Sequence, residues 1–323
     1  MNASPAAAPH WARIGESSFV LGMWLLYGVH RLLGRLPFRL CLYPVVAWYW
    51  ATRPQARRAS LQYLQRLQAA HDGAVCAAGT APGLRHSLRH FLSFAETILD
   101  KMLAFSGRYP FSAVRFHGAE QVQALITRGQ GGLFVTAHVG CLELCRALAD
   151  RCPGLRLSVL VHTRHAERFN AMLRRLDPHS RVQLLQVTEV DATTAVLLAQ
   201  RVQAGEFVAI AGDRVPVRLG KVARVPFLGH EAAFPVGPYV LAALLKCPLI
   251  LLGCVREGAA HAVRFDVLAE RVELPRARRE AALVAQAAVF AQALERLLRR
   301  APYEWFNFFP FWAQSGTAPS SHD

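Results

Sequence analysis

Lysine is almost missing from this chain. Only Lys101, Lys221 and Lys246 stand among its 37 basic residues, so the formal charge of +15 is carried by arginine. Such a surplus favours an anionic partner, whether nucleic acid, anionic lipid or an acidic carrier protein. Acidic residues are absent from Ser17 to His71, where Arg31, Arg35, Arg39, Arg53, Arg57, Arg58 and Arg66 are interleaved with Trp24, Tyr27, Tyr43, Trp48, Tyr49 and Trp50. Arginine beside amphipathic rings suits a lipid headgroup interface. No zinc-finger, RNP or recognition-helix pattern accompanies the charge, so no nucleic-acid partner is expected.

Long apolar runs are missing as well. Hydrophobic residues make up 53% of the chain, yet no run reaches the ~18 uninterrupted positions of a clear spanning helix. Two shorter stretches, Phe19–Val29 and Leu40–Ala51, flank a basic segment. They predict interfacial or shallowly inserted helices, with one tilted span across both as the alternative. No basic residue precedes Arg13 and no small-residue cleavage site follows the first stretch, so a cleavable signal is not expected and the chain is expected to face the cytoplasm.

The seven cysteines are an odd number and lack the paired short knuckles of a structural zinc site. Reduced core thiols are expected, with no metal and no redox cofactor. There is also no Gly-x-Ser-x-Gly elbow and no His-Glu-x-x-His motif, which removes serine hydrolases of that type and zincin proteases.

Residues 1–12 and 316–323 read as disordered tails and 13–106 as a helical, membrane-associated region. Residues 55–105 read as helical, with Leu84, Leu88, Phe91, Ala95, Ile98, Met102 and Phe105 forming a packing stripe and Arg85, Arg89, Glu96 and Lys101 a solvated or headgroup-facing back. From 107 to 315 apolar strands alternate with amphipathic helices. Strands are predicted at 113–117, 133–137, 155–161, 182–187, 207–211, 249–255 and 263–267, and helices at 142–151, 166–176, 192–203, 236–245 and 276–300. Near-continuous apolar strands alternating with helices predict an α/β domain whose mixed, largely buried sheet is flanked by helices.

One segment carries a catalytic pattern: Gly131-Gly132-Leu-Phe-Val-Thr-Ala-His138-Val-Gly140-Cys-Leu-Glu143. Two residues five apart on one helix point about 140° from each other, so His138 and Glu143 meet only if the histidine sits in the turn before the helix. Gly140 would make that turn. A carboxylate on one imidazole nitrogen would then fix the tautomer and leave the other nitrogen to take a hydroxyl proton. A backbone amide near Gly140, or a basic side chain, would meet the oxyanion.

Three further blocks follow in order: Gly212-Asp213-Arg214 after an apolar strand, Val225-Pro-Phe-Leu-Gly229, and Phe234-Pro-Val-Gly-Pro238 opening a helix. With His138-x-x-x-x-Glu143 and the arginine- and aromatic-rich start, this ordered set resembles the lysophospholipid-acyltransferase superfamily, in its branch of bacterial lipid A late acyltransferases. The similarity runs from about Trp11 to Trp312. It implies a glycerol-3-phosphate acyltransferase-like fold on a membrane-anchoring helical region, at the cytoplasmic face of the bacterial inner membrane. It also implies acyl transfer from a thioester of acyl carrier protein or coenzyme A, the carrier protein favoured, to a hydroxyl of a lipid or glycolipid. His138 would be the base and Glu143 its partner, with Gly140, Arg164, Asp213, Arg214, Phe234, Pro235 and Gly237 around the substrates.

Arg214, Arg218, Lys221 and Arg224 form a basic loop beside that site, suited to a phosphorylated lipid or a phosphopantetheine arm. The ending Trp305-Phe-Asn-Phe-Phe-Pro-Phe-Trp312 is more aromatic and less basic than enzymes acting on lipid A itself carry. It is more similar to superfamily members in other bacterial lipid or aryl-polyene-type pathways, and its rings would equally close the core beneath the last helix. A non-catalytic membrane- or carrier-binding module on the same fold is the alternative.

Overall fold

The computed structural model describes residues 19–149, 152, 154–161, 183–186, 192–215, 220–258 and 260–314. Helices α1 (Phe19–Leu33) and α2 (Arg35–Thr52) are separated at Gly34, whose φ of 87° interrupts the helical backbone, so the two apolar stretches do not form one continuous helix. The region read as continuously helical over 55–105 is two helices, α3 (Pro54–Ala70) and α4 (Leu84–Phe105). Between them Asp72 accepts from the amide of Gly79 and from Gln68, closing a loop that ends at Pro82-Gly83.

The α/β domain begins at β1 (Arg115–His117), followed by α5 (Ala119–Thr127), β2 (Leu133–Gly140), α6 (Leu142–Ala149), β3 (Leu157–Val161) and β4 (Gln183–Gln186). After these come α7 (Ala192–Gln203), β5 (Phe207–Ala211), β6 (Val222–Phe227), β7 (His230–Pro235), α8 (Gly237–Leu245), β8 (Leu249–Glu257), β9 (Ala260–Ala269) and α9 (Arg279–Arg300). Seven strands form one mixed sheet in the order β1-β9-β8-β2-β5-β3-β4. Pairing is parallel except between β8 and β9. All seven predicted strands belong to it. The predicted helix over 166–176 lies outside the described residues.

The sheet is covered on both sides, which is why its strands read as apolar runs. Leu133, Val135, Ala137 and Val139 of β2 face a core shared with α3, α7, α8 and α9, while Phe134 faces a second core with α4, α5 and α6. Helix α9 buries Leu283, Ala287, Phe290, Ala291, Leu294, Leu297 and Leu298 at three- and four-residue steps. Among the described residues, Arg276–Arg300 is long and apolar enough to cross a membrane, but this stripe makes it a core helix.

A feature absent from the sequence reading is the β6–β7 hairpin, a separate antiparallel pair. Its turn places Leu228 at φ 51° and Gly229 at φ 75°, the left-handed pair that lets a two-residue loop match the twist of its strands. Glu295 of α9 accepts from the Leu228 amide and from His71, tying the hairpin to the helical region.

Helix α2 is apolar on the outside. Leu36 (71% exposed), Leu40 (68%) and Trp48 (67%) stand in the open, whereas Phe38, Leu42 and Val46 pack inward. Its arginines turn toward α4: Arg39 grips Glu96 through two bonds of 2.9 and 3.0 Å, Tyr43 adds a third, and Arg35 reaches Asp100. The expected solvated back of α4 is therefore corrected at Glu96 and Lys101. Both are partly buried in ion pairs, because helices cover that side too.

Candidate active site

Strand β2 does not stop at Ala137. It runs through His138 to Gly140, so the histidine sits on the strand rather than in a turn. Its register with β8 shifts between Thr136 and Gly140, a bulge that re-aims the strand end. Gly140 is obligatory there: φ is +61°, and a Cβ would lie 1.9 Å from the carbonyl oxygen of Cys254.

The neighbour strand then decides the histidine's partner. Thr136 of β2 pairs with Ala211 of β5, so the residues two further along each chain, His138 and Asp213, come side by side. Nδ1 of His138 lies 2.7 Å from Oδ1 of Asp213, and the His138 amide donates to Oδ2 at 2.9 Å. Two more donors reach Oδ2: the indole Nε1 of Trp305 at 3.0 Å and Nδ2 of Asn307 at 2.9 Å. Asn307 in turn accepts from Nε of Arg214 at 2.9 Å, and Nη2 of Arg214 donates to the Phe306 carbonyl. Asp213 is fully buried. Burial pushes its pKa up, but His138, the bonds from it and Arg214 outweigh that and hold the carboxyl below the usual carboxylate range.

Glu143 is not that partner. It lies in the first turn of α6, but the helix starts beyond the Gly140 turn and points it at α4, where Oε1 accepts from Nζ of Lys101 at 2.8 Å. The expected His138–Glu143 pair is thus replaced by two pairs, His138–Asp213 and Glu143–Lys101.

The His138 ring is open to approach, with its side chain 36% exposed. Its pKa is lowered, first by partial burial and then by the Arg214 charge, with Asp213 opposing and Lys101 adding to the fall. A neutral imidazole whose Nδ1–H is held by a carboxylate presents Nε2 as an acceptor, the state a general base needs.

The Gly140 amide is occupied. It donates to the Glu304 carbonyl at 2.8 Å, and the Cys141 amide donates to the Cys254 carbonyl at 2.8 Å, so neither meets an oxyanion. Arg214, Pro235 and Gly237 do come together, lining a cavity of about 220 Å³ with Ile210, Lys221 and Pro238. Phe234 does not: it is fully buried against Phe227, Phe290 and Phe311 and belongs to the core. Arg224 sits exposed on the hairpin opposite Glu231. Arg164 and Arg218 lie outside the described residues.

The sequence reading missed Lys101, Trp305 and Asn307. Core closure is one of two readings of the ending Trp305–Trp312, and the rings do pack: Trp305 is fully buried against Tyr63, Phe227 and Phe311. The signal lay in Asn307, a polar residue among aromatics that ends up buried. Such a group needs partners, and here they are Asp213 and Arg214. The same segment is stitched along β2, with the Phe306 amide on the His138 carbonyl at 2.8 Å and a bridge between Val139 and Trp305.

No curated protein matches the chain. Residues 95–314, which include His138, Asp213, Trp305 and Asn307, match the family described as bacterial lipid A biosynthesis acyltransferase. With its mixed sheet and this site, the chain belongs to that family of acyltransferases.

Proposed function

We propose that the protein transfers a fatty acyl group from a thioester to a hydroxyl of a lipid or glycolipid, with His138 as general base and Asp213 as its orienting partner. The observation that carries this is the 2.7 Å bond between Nδ1 of His138 and a buried carboxylate, on a ring whose other edge is accessible. Nε2 takes the proton of the acceptor hydroxyl while its oxygen attacks the thioester carbonyl. Collapse of the tetrahedral intermediate expels the thiolate, which recovers the proton from the imidazolium. Lys101 and Arg214 both bear electrostatically on His138 and supply the positive charge that the developing oxyanion needs. Glu143 acts at one remove, holding Lys101 in place.

The cavity lined by Arg214, Lys221, Pro235 and Gly237 would take the phosphate-bearing part of a substrate, guanidinium and ammonium being suited to it. Acyl carrier protein is the favoured donor over coenzyme A, because a net charge of +15 attracts an acidic protein at long range. The outward apolar face of α2, beside half-exposed arginines paired to α4, supports placement of residues 13–106 at a membrane, on the cytoplasmic face of the bacterial inner membrane. Residues 107–315 would be the transferase domain.

The test is transfer by the purified protein, measured by mass spectrometry with both donors at matched acyl length and at low and high salt. His138→Ala should lose ~10²-fold or more, as loss of a positioned base does. Carrier-protein transfer should weaken with salt. Near-normal turnover by folded His138→Ala would leave a binding module as the better reading. Lipids from a strain lacking the protein would name the acceptor.

A further inference from the structure

The end of the chain supplies two of the four donors on Asp213, and neither belongs to a motif that marks the site in the sequence. We infer that Trp305 and Asn307 are positioning residues for the reaction, holding the Asp213 carboxylate in the one rotation that presents Oδ1 to His138. This rests on the reading of His138 as base.

A carboxylate at the end of β5 can turn about its Cβ–Cγ bond, and a single bond to the imidazole would not stop it. Three donors on Oδ2, from the His138 amide, the Trp305 indole and the Asn307 amide, converge on one oxygen and leave Oδ1 for Nδ1 of His138. The main chain of Trp305 is itself held from outside the α/β domain. The Trp305 carbonyl lies 2.9 Å from Nε2 of His90 on α4, whose Nδ1 lies 3.0 Å from Oγ of Ser60 on α3. Oγ of Ser60 accepts from Ser87, and Oγ of Ser87 accepts from the Trp50 indole on α2. His90 is fully buried and neutral, so with Nε2–H donating and Nδ1 accepting, every bond in this row points the same way. The row runs from the outward-apolar helix to the residue that clamps Asp213.

A donor on Oδ2 also draws charge from the carboxylate. Removing it makes Oδ1 the better acceptor, stabilises the imidazolium and raises the His138 pKa. The other charges bearing on that ring, Arg214 and Lys101, oppose its protonation, and Glu143 holds Lys101. Trp305→Phe keeps the ring packing and leaves those charges in place, so its shift reads the clamp, whereas Asn307→Leu also removes a bond from Nε of Arg214 and is read beside Trp305→Phe.

The experiment compares wild type, Trp305→Phe, Asn307→Leu and His138→Ala in purified form. It measures kcat, KM, the acid limb of the pH profile and the NMR titration of the His138 ring. The expected result is kcat down by ~10-fold in each clamp variant with KM little changed, the pattern of a lost orienting contact. The acid limb and the His138 midpoint should both move to higher pH. Wild-type kcat and an unmoved His138 midpoint in both variants, with His138→Ala inactive, would overturn the clamp and leave the base reading standing. An active His138→Ala would instead overturn the base reading, while a shifted His138 midpoint would still report the clamp. Should both variants fail to fold, the Trp305 indole proton of wild type decides. It is expected to shift with the His138 midpoint, and an indole resonance blind to that titration would overturn the proposal.

Discussion

Single residues here are set by burial and by who faces them. His261 is buried, bonds through Nδ1 to the Tyr109 hydroxyl at 2.5 Å, and is held down to about 3, first by burial and then by Arg256 and Arg35. An unfolded imidazole takes its proton near 6.5, so between 6.5 and 3 the unfolded chain binds a proton that the native one refuses. This group therefore costs stability as the pH falls. Glu304 has the opposite sign: burial raises it to about 7 from 4.5, so its contribution is full below 4.5 and lost as the pH rises through 7. The two effects oppose each other in mild acid, which makes a difference measurement the informative one. His261→Asn should be less stable than wild type at neutral pH through loss of the Tyr109 bond, and the deficit should shrink as the pH falls from 6.5 toward 3. Denaturant unfolding across that range checks it, and a deficit that grows on acidification would contradict a native neutral His261.

His138 stands out in the sequence as a histidine at the end of an apolar strand with a glycine two residues on, and the structure sets it against a buried carboxylate. Spacing within one segment points to Glu143, whereas Nδ1 of His138 bonds Asp213 on another. The pairing of Thr136 with Ala211 puts the deciding contact in a strand some seventy positions away, and only the sheet register reveals it. Asp213 was in view for another role, two residues past its own strand, just as His138 is past Thr136.

At the scale of elements, all seven strands of the main sheet were legible from their apolar runs, since strands covered on both faces carry no polar alternation to hide them. The β6–β7 hairpin was not, because Pro226 and the left-handed Leu228 both depart from ordinary strand and turn chemistry. Packing against α9 and the aromatic ending makes that hairpin form. Helix α2 is apolar on both faces, with Phe38, Leu42 and Val46 inward and Leu36, Leu40 and Trp48 outward, while Arg35 and Arg39 pair with carboxylates of α4. Replacing Leu36, Leu40 and Trp48 together by glutamine should leave the fold intact, since all three are exposed. Partition onto anionic vesicles should fall by ~10-fold or more, because each large apolar side chain contributes about 1.5–3 kcal/mol when it leaves water. Undiminished sedimentation with vesicles would place the membrane contact elsewhere.

For the whole molecule, membership of the lipid A biosynthesis acyltransferase family points to acyl transfer in lipid biosynthesis, and the proposed division of roles rests on the geometry. Two networks meet at the end of β2: one holds His138, the proposed base, through Asp213, and the other pairs Lys101 with Glu143. They make different demands on the two carboxylates. Turnover of Asp213→Asn and Glu143→Gln, measured side by side on purified protein with one thioester donor, tests the account most directly. The expected result is a loss on the order of 10²-fold or more for Asp213→Asn, because an amide leaves the imidazole without its anion, and a clearly smaller loss for Glu143→Gln. A nearly unimpaired Asp213→Asn beside an inactive Glu143→Gln would return the partner's role to Glu143 and contradict the account.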